Sequence, residues 1–359
     1  MSMVSALLRE DLRDFAGYRS ARSELADGQI WLNANESAHA NASDVGRQLR
    51  RYPQSQPNSL RTALATLYGC ADEQLLIGRG SDEPIDLLVR AFCTPARDAV
   101  LVTPPVFGMY SVCARLQGAR LLEVPLNDGE DNFHVDLAGI ARVALTQNAR
   151  LVFLCSPGNP AGGVLAVEEV LALARKLEGA ALLVVDEAYI EYADAPSLVS
   201  TISSQPNVVV LRTLSKAHAL AGARIGSLIA DPEVIAVLRR CQAPYPIPLP
   251  CAMQALHALS EDALAETRRN VAVTCIQRNA LLQSLQGIPA IHRMYPSDTN
   301  FLLARCVNPA GAFQSLLNDG IVVRDMRMHP QLKDALRITV GTAEENARVI
   351  SALESRVAA

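Results

Sequence analysis

From about residue 50 to residue 250, short apolar runs rich in Val, Leu and Ile alternate with amphipathic stretches that suit helices. Several runs are apolar at every position, which is typical of strands buried on both faces of a mostly parallel sheet. Strands that alternate with helices of about ten residues indicate an α/β domain. The predicted strands are residues 75–77, 99–103, 120–124, 151–155, 181–185, 208–211 and 226–230, and helices are predicted, for example, at 83–92, 167–177 and 232–241.

The pattern changes beyond a proline-rich stretch, residues 244–250. The segments predicted after it are, in order, a helical region from 252 to about 285, a strand at 297–304, a helix, strands at 321–324 and 336–340, and a terminal helix. This order is typical of a smaller α+β domain. We therefore predict an N-terminal arm with one short helix (1–44), a large α/β domain (45–250) and a small α+β domain (251–359), with the arm contributing to the small domain and the active site.

Composition excludes several classes of protein. Hydrophobic residues make up 50% of the 359 residues and charged residues 19%, which is ordinary for a globular chain. The formal net charge of −4 gives no overall cationic field that would hold nucleic acid or an anionic membrane. The longest uncharged stretch, residues 241–260, contains four prolines, so it does not suit a membrane-spanning helix.

The cysteines and histidines indicate a reducing compartment and no metal centre. The eight cysteines include no CxxC pair, which is typical of free thiols in the cytoplasm. The six histidines show no HxxxH or HExxH spacing, so no metal site is predicted. Charge follows the N-terminus too soon for a signal peptide, and we predict a cytoplasmic location.

One lysine stands out as a candidate nucleophile. Ligands of open α/β sheets bind beyond the carboxyl ends of the strands, so reactive residues directly after a strand are candidate site residues. Of the three lysines, Lys176, Lys216 and Lys333, only Lys216 follows a buried strand among small residues. Desolvation lowers the pKa of a lysine amine and makes it a nucleophile for carbonyls. A structural ion pair also explains this lysine when it is taken alone.

One aspartate and two loops also follow predicted strands. Asp186 directly follows strand 181–185 and, being partly desolvated, is expected to face a cationic partner, although a helix N-cap explains it equally well. The turn at 78–84 opens a helix whose free amides can bind an anion. The loop at 155–163 is stiffened by prolines, and Asn159 is its only sizeable hydrogen-bonding side chain. Each loop alone is explained equally well as a tight turn.

Together the four segments suit pyridoxal phosphate. Lys216 would hold the aldehyde as a Schiff base, and Asp186 would pair with the pyridinium nitrogen so that the ring stays an electron sink. The phosphate would be bound by the amides and side chains of Gly80, Ser81, Asp82, Thr213, Ser215 and Arg224.

The motifs resemble those of the fold-type I pyridoxal-phosphate-dependent aminotransferases over nearly the whole chain. The segments that carry the resemblance are LNANE (32–36), RYP (51–53), GRGSDE (78–83), PPVFGMY (104–110), DEAYIE (186–191), RTLSKA (212–217) and LRITVG (336–341). Within that superfamily they are most similar to the enzymes that transfer the amino group of L-histidinol phosphate to 2-oxoglutarate in histidine biosynthesis. The departures from the usual motifs are Ser37-Ala38, Phe107, Gly158, Ala161 and His218.

The resemblance implies a homodimer with active sites at the interface, where Tyr52 reaches the cofactor phosphate of the neighbouring subunit. It implies that Asn159 and Tyr189 hydrogen-bond the phenolic oxygen of the cofactor and that Phe107 stacks on its ring. By this resemblance, Tyr189 is a catalytic residue together with Lys216 and Asp186.

For the substrates, the resemblance implies that Arg337 holds the α-carboxylate of the amino acid and that Asn159 is also a substrate-binding residue. Arg324 and Tyr18 would bind the phosphate of histidinol phosphate. The implied reaction is ping-pong, with imidazole-acetol phosphate and L-glutamate as the products.

Four other functions were weighed. A threonine-phosphate decarboxylase and a broader aromatic amino-acid aminotransferase, both of the same fold, stay open. A nicotinamide-dependent oxidoreductase is disfavoured because no GxGxxG opens the first βα unit. A non-catalytic, DNA-binding regulator is disfavoured because the chain has neither spare length nor a basic stretch.

Overall fold

The main-chain path is given by a computed structural model, which describes residues 2–18, 20–21 and 30–354. The strands in these ranges are β1 (Leu75–Arg79), β2 (Ala99–Val102), β3 (Arg120–Glu123), β4 (Asn127–Asp128), β5 (Phe133–His134), β6 (Ala149–Cys155), β7 (Leu182–Asp186), β8 (Val208–Thr213), β9 (Ile225–Ile229), β10 (Ile291–Met294), β11 (Phe301–Cys306), β12 (Arg324–Asp325) and β13 (Ala335–Thr339). The α-helices are α1 (Met3–Leu7), α2 (Asn58–Tyr68), α3 (Asp82–Phe92), α4 (Met109–Gln117), α5 (Leu137–Thr146), α6 (Val167–Leu177), α7 (Pro232–Cys241), α8 (Leu249–Ala258), α9 (Glu261–Gln286), α10 (Pro309–Asn318) and α11 (Ala343–Glu354).

Seven strands form the main sheet in the order β1-β9-β8-β7-β6-β2-β3. β9 runs antiparallel to both of its neighbours, and the other pairs are parallel. These are the seven strands predicted from the apolar runs, and each end lies within two residues of its predicted position. The predicted mostly parallel α/β sheet of a fold-type I transferase is therefore confirmed.

Helices cover both faces of this sheet. Along β7, Leu183 and Val185 pack into one core with α2, α5, α6 and α8, while Leu182 and Val184 pack into a second core with α1, α3, α4 and α7. Because both faces are covered, every residue of β7 is buried, and apolar side chains are favoured at all positions before the last. The short helix predicted in the N-terminal arm is α1, which buries Val4 in the second core.

A second sheet of four antiparallel strands has the order β10-β11-β13-β12 and packs against α9, α10 and α11. The helical region predicted from 252 to about 285 consists of two helices, α8 and α9. The break is at Ser260, whose hydroxyl accepts a hydrogen bond from the Ala263 amide and caps α9. α8 begins at Leu249 with Pro250 in its first turn, where the missing N–H has no helical partner to lose.

The strand predicted at 297–304 begins later, at Phe301. Before it, Ser297 and Thr299 form a turn that is held by hydrogen bonds of their hydroxyl groups. Residues 45–250 hold the main sheet and residues 251–354 the second one, while the division into domains at those boundaries stays a prediction. Among the described residues, no helix has both the length and the apolar character needed to cross a membrane.

Candidate active site

A cavity of about 180 Å³ lies at the edge of the main sheet where β1, β6, β7 and β8 end and β9 begins. We call it the inner cavity. Its lining is formed by Ser81, Asp82, Phe107, Cys155, Asn159, Asp186, Ala188, Tyr189, Thr213, Ser215, Lys216, Ala221 and Arg224. All the residues predicted to bind the cofactor are in this lining except Gly80 and Tyr52.

At one end of the inner cavity, the turn between β1 and α3 packs tightly on Arg224. Gly80 has φ of +71°, and a Cβ there would lie 2.2 Å from Nη2 of Arg224, so a side chain at this position would be strained and would displace the guanidinium. The Gly80 amide donates to the Arg224 carbonyl at 2.9 Å, and the Arg224 guanidinium donates to Asp82 at 3.0 Å. Ser81 precedes α3 without using its hydroxyl as a cap, so the first-turn amides of α3 point at the cavity end without intrahelical partners.

Two hydroxyls complete this end of the cavity. The Ser215 amide donates to Oγ1 of Thr213 at 3.1 Å, and the two hydroxyl oxygens are 2.9 Å apart. Hydroxyls, the Arg224 guanidinium and the start of a helix together form a site for a multiply charged anion such as a phosphate.

Lys216 lies in the middle of the inner cavity and is half-buried. Burial and the positive charge of Arg337 lower the pKa of its amine. Its Nζ is 5.5 Å from the centre of the Tyr189 ring. A lowered pKa increases the unprotonated fraction at neutral pH, which is the state that attacks a carbonyl.

Asp186 is the last residue of β7 and is 3% exposed. Its Oδ2 accepts a hydrogen bond from the Tyr110 hydroxyl at 2.6 Å, and its Oδ1 accepts one from the Ala188 amide at 3.1 Å. Among the described residues no cationic side chain hydrogen-bonds to this carboxylate, and the expected pairing with the pyridinium nitrogen stays a prediction. The N-cap interpretation is wrong, because the next helical turn begins only after Tyr189. Burial raises the pKa of Asp186, while the hydrogen bond from Tyr110 and the charge of Lys216 oppose that rise.

Asn159, Tyr189 and Arg337 form a chain of contacts between the main sheet and the second sheet. The Asn159 amide donates to the Tyr189 hydroxyl at 3.3 Å, and the Arg337 guanidinium donates to the Asn159 carbonyl. Arg337 does not pair with Asp334, which binds Arg305 instead. The Nε of Arg337 is buried and has no hydrogen-bond partner among the described residues, so it can still bind a ligand oxygen.

A larger cavity of about 610 Å³, which we call the outer cavity, shares Phe107, Asn159, Tyr189 and Lys216 with the inner one. Arg324, Arg337 and His329 also line it. Arg324 and Arg337 are directly opposed on β12 and β13, so two guanidinium groups come from one small sheet. This arrangement suits a substrate that carries anionic groups.

Tyr18 and Tyr52 line neither cavity of this chain. Tyr18 is 75% exposed, and Tyr52 stacks on Tyr245 with 4.4 Å between ring centres. The Tyr52 amide donates to the Glu36 carboxylate at 2.7 Å, which holds the backbone of this segment. The binding roles of both tyrosines stay predictions.

Sequence reasoning missed Tyr110, which touches Asp186. The motif PPVFGMY contains it, and its spacing of three from Phe107 is a helical spacing that could have indicated two side chains on one face. His218, interpreted as structural, is buried beside a cluster in which Arg212 binds Glu191 at 2.7 Å. Burial lowers the pKa of the His218 imidazole.

Comparison with known proteins agrees with the class of enzyme that this fold and site define. The family model "Aminotransferase class I and II" matches residues 24–353. A solved structure of histidinol-phosphate aminotransferase from Sinorhizobium meliloti, in complex with pyridoxal-5'-phosphate, is similar with a TM-score of 0.77 and 28% identity, covering 91% of this chain and 90% of that one.

Two curated relatives are more similar in sequence. Histidinol-phosphate aminotransferase from Xanthomonas axonopodis pv. citri (strain 306) is 60% identical, over 98% of this chain and 97% of the relative. The enzyme of that name from Stenotrophomonas maltophilia (strain R551-3) is 58% identical, over 99% and 98%. The chain therefore belongs to the histidinol-phosphate aminotransferases within the class I and II aminotransferase family.

Proposed function

We propose that the chain transfers the amino group of L-histidinol phosphate to 2-oxoglutarate, giving imidazole-acetol phosphate and L-glutamate, with pyridoxal phosphate as cofactor. The observation that carries this proposal is the convergence of Lys216, Asp186 and an anion-binding end on one cavity. The identity of about 60% to relatives named for this reaction supports the choice of substrate.

The described residues fit the cofactor by the chemistry of their donors and acceptors. The Gly80 amide, predicted to bind the phosphate, donates to the Arg224 carbonyl instead, so the backbone donors left at this end of the cavity are those at the uncapped start of α3. Asp186 supplies the only carboxylate that is buried in the inner cavity among the described residues. Pyridoxal phosphate, when bound, supplies an aldehyde and an electron-withdrawing ring.

In this mechanism Lys216 has two roles, and both need an unprotonated amine. Its Nζ would hold the cofactor through the aldehyde. As a free amine, the same nitrogen would accept the proton of the substrate Cα and pass it on to the cofactor. The lowered pKa of Lys216 favours both roles.

The other residues that line the inner cavity hold and orient the cofactor. Asp186 keeps a proton on the ring nitrogen, because the negative charge of the buried carboxylate stabilises the positive charge of the pyridinium. Asn159 and Tyr189 bind the phenolic oxygen, and Phe107 packs on the ring face.

The outer cavity binds the two substrates in turn. Arg337 binds the α-carboxylate of glutamate or 2-oxoglutarate, and its buried, unpartnered Nε supports this role. Arg324 and Tyr18 bind the phosphate of histidinol phosphate. A guanidinium fork accepts either anion, so both substrates can use one site.

We also propose a cytoplasmic homodimer in which Tyr52 binds the cofactor phosphate of the neighbouring subunit. The position of Tyr52 outside the cavities of its own chain and its 49% exposure support this proposal. In mixed dimers of Tyr52→Phe and Lys216→Ala chains, one active site has both intact residues, so activity should exceed that of either parent. A monomeric enzyme would show no such complementation.

The reaction is tested by the absorption spectrum of the purified holoenzyme. Histidinol phosphate should bleach the band of the bound cofactor, and 2-oxoglutarate should restore it. Threonine phosphate serves as the matched control. Release of carbon dioxide from threonine phosphate, without any need for an oxo acid, would identify a decarboxylase instead.

A further inference from the structure

Tyr110 is a fully buried side chain on the first turn of α4, next to the proposed cofactor site. Its ring stacks on Phe153 with 4.7 Å between ring centres and meets Phe107 edge-on at 5.6 Å. Its hydroxyl donates to Oδ2 of Asp186 at 2.6 Å. The packing on Phe153 and Phe107 fixes the ring, so the direction of this hydrogen bond is also fixed.

The two carboxylate oxygens of Asp186 are engaged differently. Oδ1 accepts from the Ala188 backbone, which any residue at position 188 except proline would provide. Oδ2 accepts from a side chain 76 residues earlier in the chain. Burial raises the pKa of the Tyr110 phenol well above its usual value, so the hydroxyl keeps its proton and remains a donor.

The electrostatic environment of Asp186 makes this donor important. The titratable groups that face it are Tyr110, Cys155, Tyr189, Lys216 and Asp82. Burial alone favours the neutral acid, which could not balance a protonated ring nitrogen. A hydrogen bond to a charged carboxylate favours the ionised form and restrains its rotation.

We infer that Tyr110 is a positioning residue, whose hydroxyl holds the Asp186 carboxylate ionised and turned toward the ring nitrogen of the cofactor. This inference rests on the proposed function, since it concerns how Asp186 meets that cofactor. Tyr110 itself acts only through Asp186. Tyr110 would thus tune the charge of the site, while its neighbour Phe107 packs on the cofactor.

The first test measures the ionisation of Asp186 by infrared spectroscopy of the full chain without cofactor. The carboxylic acid band is assigned by its loss in Asp186→Asn. In Tyr110→Phe the protonation midpoint should move to higher pH by about one pH unit, because a bond that favoured the carboxylate is gone. Tyr295→Phe is the matched control, since Tyr295 is also fully buried and donates to a carboxylate, that of Asp128, at 2.8 Å. This control should leave the midpoint unchanged.

The second test is a double-mutant cycle on cofactor affinity. Tyr110→Phe should raise the dissociation constant of pyridoxal phosphate by about tenfold or more, the range for a hydrogen bond to a charged group. In an Asp186→Asn background the same substitution should change it by less than about twofold, because the charge that Tyr110 serves is absent. A merely structural tyrosine would weaken binding equally in both backgrounds, which would overturn the inference.

A third test uses a variant that keeps the packing of the Tyr110 ring and should shift the Asp186 midpoint in the opposite direction. Replacement of Tyr110 by 3,5-difluorotyrosine makes the hydroxyl a stronger donor, so the Asp186 midpoint should move to lower pH. An unchanged midpoint in both Tyr110 variants would refute the role of Tyr110, even while borohydride still traps cofactor on Lys216. Failure to trap cofactor on Lys216 in the unmodified chain would instead refute the proposed function.

Discussion

The inner and outer cavities share Lys216 and Asn159, but they are built differently. The inner cavity collects short loops that directly follow the strands of one sheet, and its anion-binding end is formed largely by backbone around Gly80. The outer cavity lies between two sheets, and its cations, Arg324 and Arg337, come from strands of the second sheet. We therefore expect the inner cavity to perform the chemistry common to both half-reactions and the outer cavity to select the substrate.

The largest expected effect is loss of the inner nucleophile. Lys216→Ala should abolish both half-reactions and all borohydride-trapped cofactor, because no second amine lines either cavity among the described residues. Mass spectrometry of the reduced protein locates the cofactor. Lys176→Ala and Lys333→Ala are the controls and should retain both properties. Cofactor found on either of these lysines would remove Lys216 from its proposed role.

The next largest effect tests the negative charge of Asp186 in the inner cavity. Asp186→Asn keeps the shape of the side chain but removes the charge that would pair with the ring nitrogen. We expect kcat to fall by about 10²-fold or more, as for loss of a catalytic electrostatic contact, and both half-reactions should slow together. Single-turnover measurements with each substrate provide the comparison. A near-normal kcat would leave Asp186 with a structural role only.

The outer cavity should behave differently. Arg324→Ala removes a charge-assisted contact of about 1.5–3 kcal/mol, so kcat/KM for histidinol phosphate should fall roughly ten- to hundredfold. The half-reaction with 2-oxoglutarate should change little, because we propose that this acceptor is bound chiefly by Arg337. The cofactor spectrum follows each half-reaction in a single turnover.

Equal slowing of both half-reactions by Arg324→Ala would contradict a role of Arg324 in one half-reaction only. The outer cavity would then bind both substrates through a shared anion site. No slowing of either would favour a broader aminotransferase.

The smallest expected effect concerns Gly80. It distinguishes the close contact of residue 80 with Arg224 from the strain that any side chain has at positive φ. Gly80→Ala and Gly179→Ala both place a Cβ at positive φ, +71° and +73°, and should each cost about 1–2 kcal/mol of stability. Only at Gly80 does the Cβ strike Arg224, whereas at Gly179 it meets no described atom within 4 Å. Cofactor titration should therefore show about tenfold weaker binding for Gly80→Ala alone. Equal affinities in the two variants would mean that the Gly80–Arg224 contact does not shape the phosphate end.

Most of the inner cavity could be predicted because its residues are marked by their position after a strand. Lys216 and Asp186 each follow a recognisable apolar run, and parallel strands bring their carboxyl ends to one edge. The partners of these residues could not be predicted in the same way. The Tyr110 hydroxyl donates to Asp186 from a distant helix, and the pattern of the strand before Asp186 carries no signal of that contact.

The sequence by itself determined the seven strands of the main sheet, the order of the motifs and the family, since these depend on local pattern and on short loops after each strand. Only the tertiary structure decided three pairings between distant segments, Tyr110 with Asp186, Arg337 with Asn159 178 residues earlier, and Arg324 opposite Arg337. The physical reason is that such contacts depend on how helices and sheets pack together. That packing is set by the fit of many side chains at once, and no short stretch of sequence encodes it.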